Sequence, residues 1–111
     1  MVETYATVPE AEPKAKIEKV TVREYTSGNT YSVSNGGSVN VGEERVRITA
    51  TVRNIGAVYG TIVVELIIDG ASKGTKSLLL DSYESGSVYW DVELVQGSHS
   101  VTVKAGHELY V

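Results

Sequence analysis

Apolar and polar side chains alternate with a period of two along most of the chain. That is the pattern of a strand with one face in a core and the other in water. In Val46-Arg47-Ile48-Thr49-Ala50-Thr51-Val52-Arg53 the even positions are apolar and the odd ones are arginine or threonine. Ile62, Val64, Leu66 and Ile68 form a second such face, with Val63 and Ile67 on its back. A strand that is apolar on both sides is expected to be central and covered twice. Val88, Trp90 and Val92 alternate with Tyr89, Asp91 and Glu93, and His99, Val101 and Val103 alternate with Ser100, Thr102 and Lys104. Helical periodicity is weak throughout.

Turn residues punctuate these runs: Asn54-Ile55-Gly56, Asp69-Gly70, Glu84-Ser85-Gly86 and Gln96-Gly97-Ser98. Asp-Gly between alternating segments predicts a tight hairpin, because both residues tolerate positive φ. A strand over Thr75–Leu80 is expected after it. Upstream, Ile17–Tyr25 and Tyr31–Val41 supply one or two strands, the latter interrupted by Asn35-Gly36-Gly37, and Leu109–Val111 is expected as a short closing strand. Seven or eight strands at this spacing predict an all-β, Ig-like antiparallel β-sandwich. Both prolines, Pro9 and Pro13, fall near the start. Residues 1–15 therefore read as an extended leader or linker and residues 16–111 as the sandwich domain.

Length and charge narrow the function. A chain of 111 residues holds one domain. Ten basic against fourteen acidic residues give a net charge of −4, which argues against nucleic acid, whose phosphates demand a basic surface. No apolar run approaches the ~20 residues that cross a bilayer, so direct membrane insertion is not expected. Cysteine is absent, which removes disulfides, thiolate catalysis and sulfur-rich metal sites. Met1-Val2-Glu3-Thr4-Tyr5 has neither a basic start nor an apolar stretch, so it is not a secretory signal. Two expectations follow: the chain is intracellular, or it begins after a removed signal or anchor.

Val52-Arg53-Asn54-Ile55-Gly56 resembles the Val-x-Asn-x-Gly turn of the CARDB-type family, Ig-like modules of bacterial and archaeal surface and secreted proteins. Val64-Glu65-Leu66-Ile67-Ile68-Asp69-Gly70 is similar to that family's strand ending in Asp-Gly. Tyr89-Trp90-Asp91-Val92 and Gly97-Ser98-His99-Ser100-Val101-Thr102-Val103 continue the likeness, the latter resembling a Gly-x-His-x-Val-x-Val strand. The resemblance spans Val46–Ala105. It departs at Glu84-Ser85-Gly86, where the family commonly has Pro-Gly, and at Ala105-Gly106, where it often has Asp. It implies a noncatalytic spacer or adhesion module at the cell surface or outside the cell, with no active-site residues to transfer.

Individual residues carry little chemistry. Trp90 alternates with charged neighbours and is expected in the core. His99 shares its period with Val101 and Val103, so it is expected at the core's edge with a ring nitrogen on backbone. Neighbouring serines point to the opposite face. His99 and His107 alone are too few to define a metal site. Asp81-Ser82-Tyr83-Glu84 is the densest acidic cluster, where a solvated turn is expected over a weak calcium site. Every Asp and Glu reads as surface-facing, which leaves no carboxylate pair in a cleft. Asn35-Gly36-Gly37-Ser38 lacks the lysine and helix of a phosphate loop and is a turn.

Arg45, Arg47 and Arg53 share one exposed strand face, with cross-strand partners such as Glu65 expected. Seven tyrosines against no phenylalanine suit half-wet faces and interfaces. Tyr83, Tyr89, Arg45, Arg47 and Arg53 are therefore the candidate interaction face. No catalytic residue, cofactor or metal is assigned. The expected function is a noncatalytic adhesion or protein-interaction module of a prokaryotic surface protein or appendage, binding a protein or surface component. Two alternatives stand beside it: carbohydrate binding through a Tyr/Trp face, and self-assembly into homo-oligomers or filaments by edge-strand addition.

Overall fold

In the computed structural model of the chain, residues 13–42 and 45–107 are described. They form eight strands: β1 (Ala15–Glu24), β2 (Thr30–Val33), β3 (Ser38–Val41), β4 (Arg45–Asn54), β5 (Gly60–Ile68), β6 (Ala71–Leu80), β7 (Ser85–Glu93) and β8 (Gly97–His107). These pair antiparallel into two sheets, ordered β2-β1-β4-β7 and β3-β8-β5-β6. The result is the all-β sandwich that the alternation predicts. Leu109–Val111, Glu43, Glu44 and most of the leader lie outside the described residues.

The period-two pattern sorts side chains as expected. Val46, Ile48, Ala50 and Val52 of β4 meet Ile62, Val64, Leu66 and Ile68 of β5 in one buried core. Trp90 joins them, only 4% exposed, paired in register with Ile48. The indole is therefore part of the filling between the sheets and takes no part in an exposed aromatic face. Its Nε1–H is buried without a hydrogen-bond partner. The back of β5 departs from expectation. Val63 and Ile67 are only half-buried, because the described residues form two layers and none of them makes a third over the outer side of this sheet.

Asp69 and Gly70 both have positive φ, 50° and 82°, and link β5 to β6 in a two-residue turn. That geometry matches the strands' twist, and Asp-Gly meets it at little steric cost. Here β6 starts directly, at Ala71 rather than Thr75. Asn35-Gly36-Gly37 does more than interrupt a strand: the chain changes sheets there, β2 pairing with β1 and β3 with β8. The Asn35 side chain continues the ladder along β8, accepting from the Val103 N–H at 2.8 Å and donating to its carbonyl at 2.9 Å.

At the end of the sandwich where β1 begins, the fully buried Asn54 organises three segments. Its Oδ1 accepts from the N–H groups of Lys14 and Gly56, at 3.1 and 2.9 Å. Its Nδ2 donates to the carbonyls of Val58 and Leu80, at 2.8 and 3.1 Å. Its main chain bonds Tyr83 and Glu84 in the β6–β7 turn. The Asn and Gly of Val52-Arg53-Asn54-Ile55-Gly56 thus have a physical reason: one amide caps the turn and ties the incoming chain and the neighbouring turn to it.

A candidate cationic and aromatic face

Because β4 sits between β1 and β7, its odd-numbered residues share an outer face with theirs. The register lays them in rows: Arg23, Arg47 and Asp91, then Thr21, Thr49 and Tyr89, then Lys19, Thr51 and Ser87. Tyr25, just past the end of β1, folds over the first row, anchored where its N–H donates to the Arg45 carbonyl.

Arg47 is fixed from several directions. Its Nε donates to Asp91 Oδ1 at 2.9 Å, and Nη2 reaches Asp91 Oδ2 at 3.3 Å and the Tyr25 hydroxyl at 3.1 Å. The Tyr25 hydroxyl donates in turn to Asp91 Oδ1 at 2.6 Å. The guanidinium carbon stands 4.0 Å from the Tyr89 ring centroid, close enough for cation–π attraction. Lys76 Nζ approaches the same ring at 5.7 Å from the neighbouring β6. Arg45 lies 5.3 Å from the centre of the Tyr25 ring. The bonded Asp91 carboxylate and the Tyr25 hydroxyl raise the pKa of Arg47 further above its ordinary range. Arg47 and Tyr25 likewise hold the Asp91 carboxyl below the usual carboxylate range. Between these groups lies a hollow of about 170 Å³ lined by Arg23, Tyr25 and Arg47.

The five expected face residues divide into two groups. Arg45, Arg47 and Tyr89 enter this network. Arg53 belongs to another, bonding Glu18 at 3.0 Å and the Tyr83 carbonyl at 2.7 Å. Hydrogen bonds from Ser85 and Arg53 lower the Glu18 pKa. Tyr83 projects from the β6–β7 turn, 64% exposed and with a positive φ of 66°. Glu65 is not a partner of the arginines, because β5 lies in the other sheet. Their carboxylates come from Asp91 on β7 and Glu18 on β1.

Glu24 departs from the sequence reading, whereas His99 meets it and gains a second partner. Glu24 is buried, its carboxylate accepting from the Gly42 N–H at 3.1 Å and the Ser27 hydroxyl at 3.0 Å. It is therefore not surface-facing, and its even position beside Val20 and Val22 was the signal. His99 bonds the Val95 carbonyl through Nε2 at 2.6 Å, as expected at a core edge, and also bonds Asp69 through Nδ1 at 2.6 Å. Spacing along the chain gave no hint of Asp69, which comes from the hairpin turn. In the Asp81–Glu84 turn, Glu84 Oε1 accepts from the Asp81 N–H at 2.9 Å. Among the described residues, no group of three or more His, Asp or Glu side chains is placed to hold a metal ion, and no helix is long and apolar enough to cross a membrane. Comparison with protein-family models, curated proteins and solved structures finds no match to the chain.

Proposed function

We propose that the chain is a noncatalytic adhesion module of a prokaryotic surface protein, and that it binds through the outer face of the β2-β1-β4-β7 sheet. The observation that carries this reading is the fixing of Arg47. An exposed arginine ordinarily samples many rotamers, and ordering it at an interface is costly. Here Asp91, Tyr25 and Tyr89 hold it in advance, which leaves little to order on binding. Tyrosine and arginine are the residue types that dominate contact surfaces. The prokaryotic surface setting draws its support from the likeness of residues 46–105 to CARDB-type modules.

Of the four edge strands among the described residues, β6 and β2 offer less to a partner than the face does. The outer strand β6 carries Lys73 and Lys76, and its pairing register with β5 breaks between Glu65 and Ile67, while β2 is four residues long. Charge, irregularity and shortness are the features that discourage strand addition.

Cosedimentation of the full chain with envelope fragments of bacterial and archaeal cells tests the proposal. Wild-type protein should pellet with at least one envelope type. Arg47→Ala and Tyr89→Ala should abolish pelleting, and Lys104→Ala on the opposite sheet should leave it intact. Equal pelleting by all four proteins, or none by the wild type, would exclude the face as the contact surface.

A further inference from the structure

The hollow beside Arg47 has a charge imbalance that the fold does not need. Arg23 and Arg47 stand directly opposite each other on β1 and β4, an arrangement of like charges that disfavours the pair. Arg45 adds a third guanidinium nearby, against the ring of Tyr25, which itself lines the hollow. The carboxylate in the cluster, Asp91, is consumed by Arg47 and Tyr25. Glu93 lies opposite Arg45 in register, but among the described residues neither Arg23 nor Arg45 forms an ion pair. All this occurs on a chain whose net charge is −4, so the spot is local and not part of a generally basic surface.

Resting on the contact face proposed above, we infer that this hollow binds the carboxylate groups of an acidic polysaccharide. Arg23 and Arg45, which form no ion pair among the described residues, supply the donors, and Tyr25 and Arg47 line the hollow with Arg23. Guanidinium groups suit such anions because their planar forks donate paired hydrogen bonds. The volume is below the ~300–1,000 Å³ of pockets that engulf small molecules. It suits one charged substituent of a polymer that continues over the surface.

The rest of the face favours sugar over acidic peptide. The rows beyond the arginines present the hydroxyls of Thr21, Thr49, Thr51 and Ser87 and lack the desolvated apolar centre of a protein interface. Thr51 Oγ1 and Ser87 Oγ share a hydrogen bond at 3.0 Å, which leaves both oxygens able to accept from a sugar hydroxyl. Neutral sugars have less to hold them, since cations already cap the rings of Tyr25 and Tyr89.

The test is calorimetric titration of the full chain with oligouronate, with polyglutamate of matched charge, and with dextran. Oligouronate should bind, more weakly as salt rises, and dextran should not. The double variant Arg23→Ala/Arg45→Ala should weaken oligouronate binding at least about tenfold, the loss expected when charged hydrogen bonds are removed. The charge-matched variant Lys73→Ala/Lys104→Ala should stay within about twofold. Thermal melts of the arginine variant, and of the milder Arg23→Gln, should not fall below wild type, because each relieves a like-charge pair. Equal weakening by both double variants would reduce the effect to net charge and overturn the site. Polyglutamate binding as tightly as oligouronate would overturn the ligand class in favour of an acidic peptide. Failure of both polymers to bind would overturn the inference, and envelope pelleting that was still lost in Arg47→Ala and Tyr89→Ala would then place the failure in the ligand and not in the face.

Discussion

Asn54 tests whether one buried amide holds the end of the sandwich together. Asn54→Ala removes four side-chain hydrogen bonds, to Lys14, Gly56, Val58 and Leu80. Each is worth about 1 kcal/mol net, so about 4 kcal/mol should be lost. Carbonyls left buried without donors would push the figure higher. Against the ~5–15 kcal/mol that separates folded from unfolded domains, this is a large share. At ~4 °C or more per kcal/mol, the melting temperature should fall by at least about 15 °C. Urea unfolding followed by the emission of Trp90, the sole tryptophan, measures the change directly. The midpoint should drop with little change in slope. Asn54→Asp refines the test. Its first oxygen keeps the two N–H donors, but its second faces two carbonyls, so burial and repulsion raise the carboxyl pKa in the folded state. The variant should be weakest above that folded pKa and regain stability as pH falls through it, when the carboxyl gains a proton to donate. A loss below about 1 kcal/mol for Asn54→Ala, or no recovery of Asn54→Asp in acid, would refute the role given to this amide.

Trp90→Ala should cost about 3–5 kcal/mol in core volume. Trp90→Phe should cost far less, because it also removes the orphaned indole N–H, itself a penalty of ~1–3 kcal/mol; scanning calorimetry compares the two. Tyr83 occupies a positive-φ position in the Asp81–Glu84 turn, where a bulky side chain is strained. Tyr83→Asn should therefore raise stability by up to about 1 kcal/mol in denaturant melts. The His99–Asp69 pair sets a pH window. Bonding to Asp69 and to the Val95 carbonyl raises the His99 pKa above its ordinary 6.5, so its contribution is full below 6.5 and is lost as pH rises through the folded value. Bonding to His99 and the Ser100 N–H lowers the Asp69 pKa below 3.8, so its contribution is present above 3.8 and is lost as pH falls through the folded value. Melting temperature should decline on both sides of that interval, and His99→Gln should flatten the alkaline side.

Strand positions and core membership were legible wherever one face is wet and the other dry. Val46–Arg53 is the clearest case, because its alternation assigned both the buried valines and isoleucine and the outward arginines. Val63 and Ile67 misled for a related reason: apolar residues on the outside of a sheet look the same in sequence whether or not another layer covers them. The partners of the face were not legible. Which carboxylate meets Arg47 depends on which strands flank β4, and long-range pairing decides that. Glu24 shows the limit of reading by residue type, since an acidic side chain at a core-facing position is buried when local N–H and hydroxyl donors receive it. The roles of Asn35, Asn54 and Asp69 arise from side chains substituting for main chain across turns, and the sequence marks them only as turn residues.

Ligand contacts should gather at the arginine and tyrosine cluster. Backbone amide shifts recorded during an oligouronate titration test it most directly. The perturbed amides should cluster at Arg23, Tyr25, Arg45, Arg47 and Asp91, with β5 and β6 nearly silent. Shifts centred instead on the turns bearing Ile55, Tyr59 and Tyr83, or spread evenly over both sheets, would contradict it.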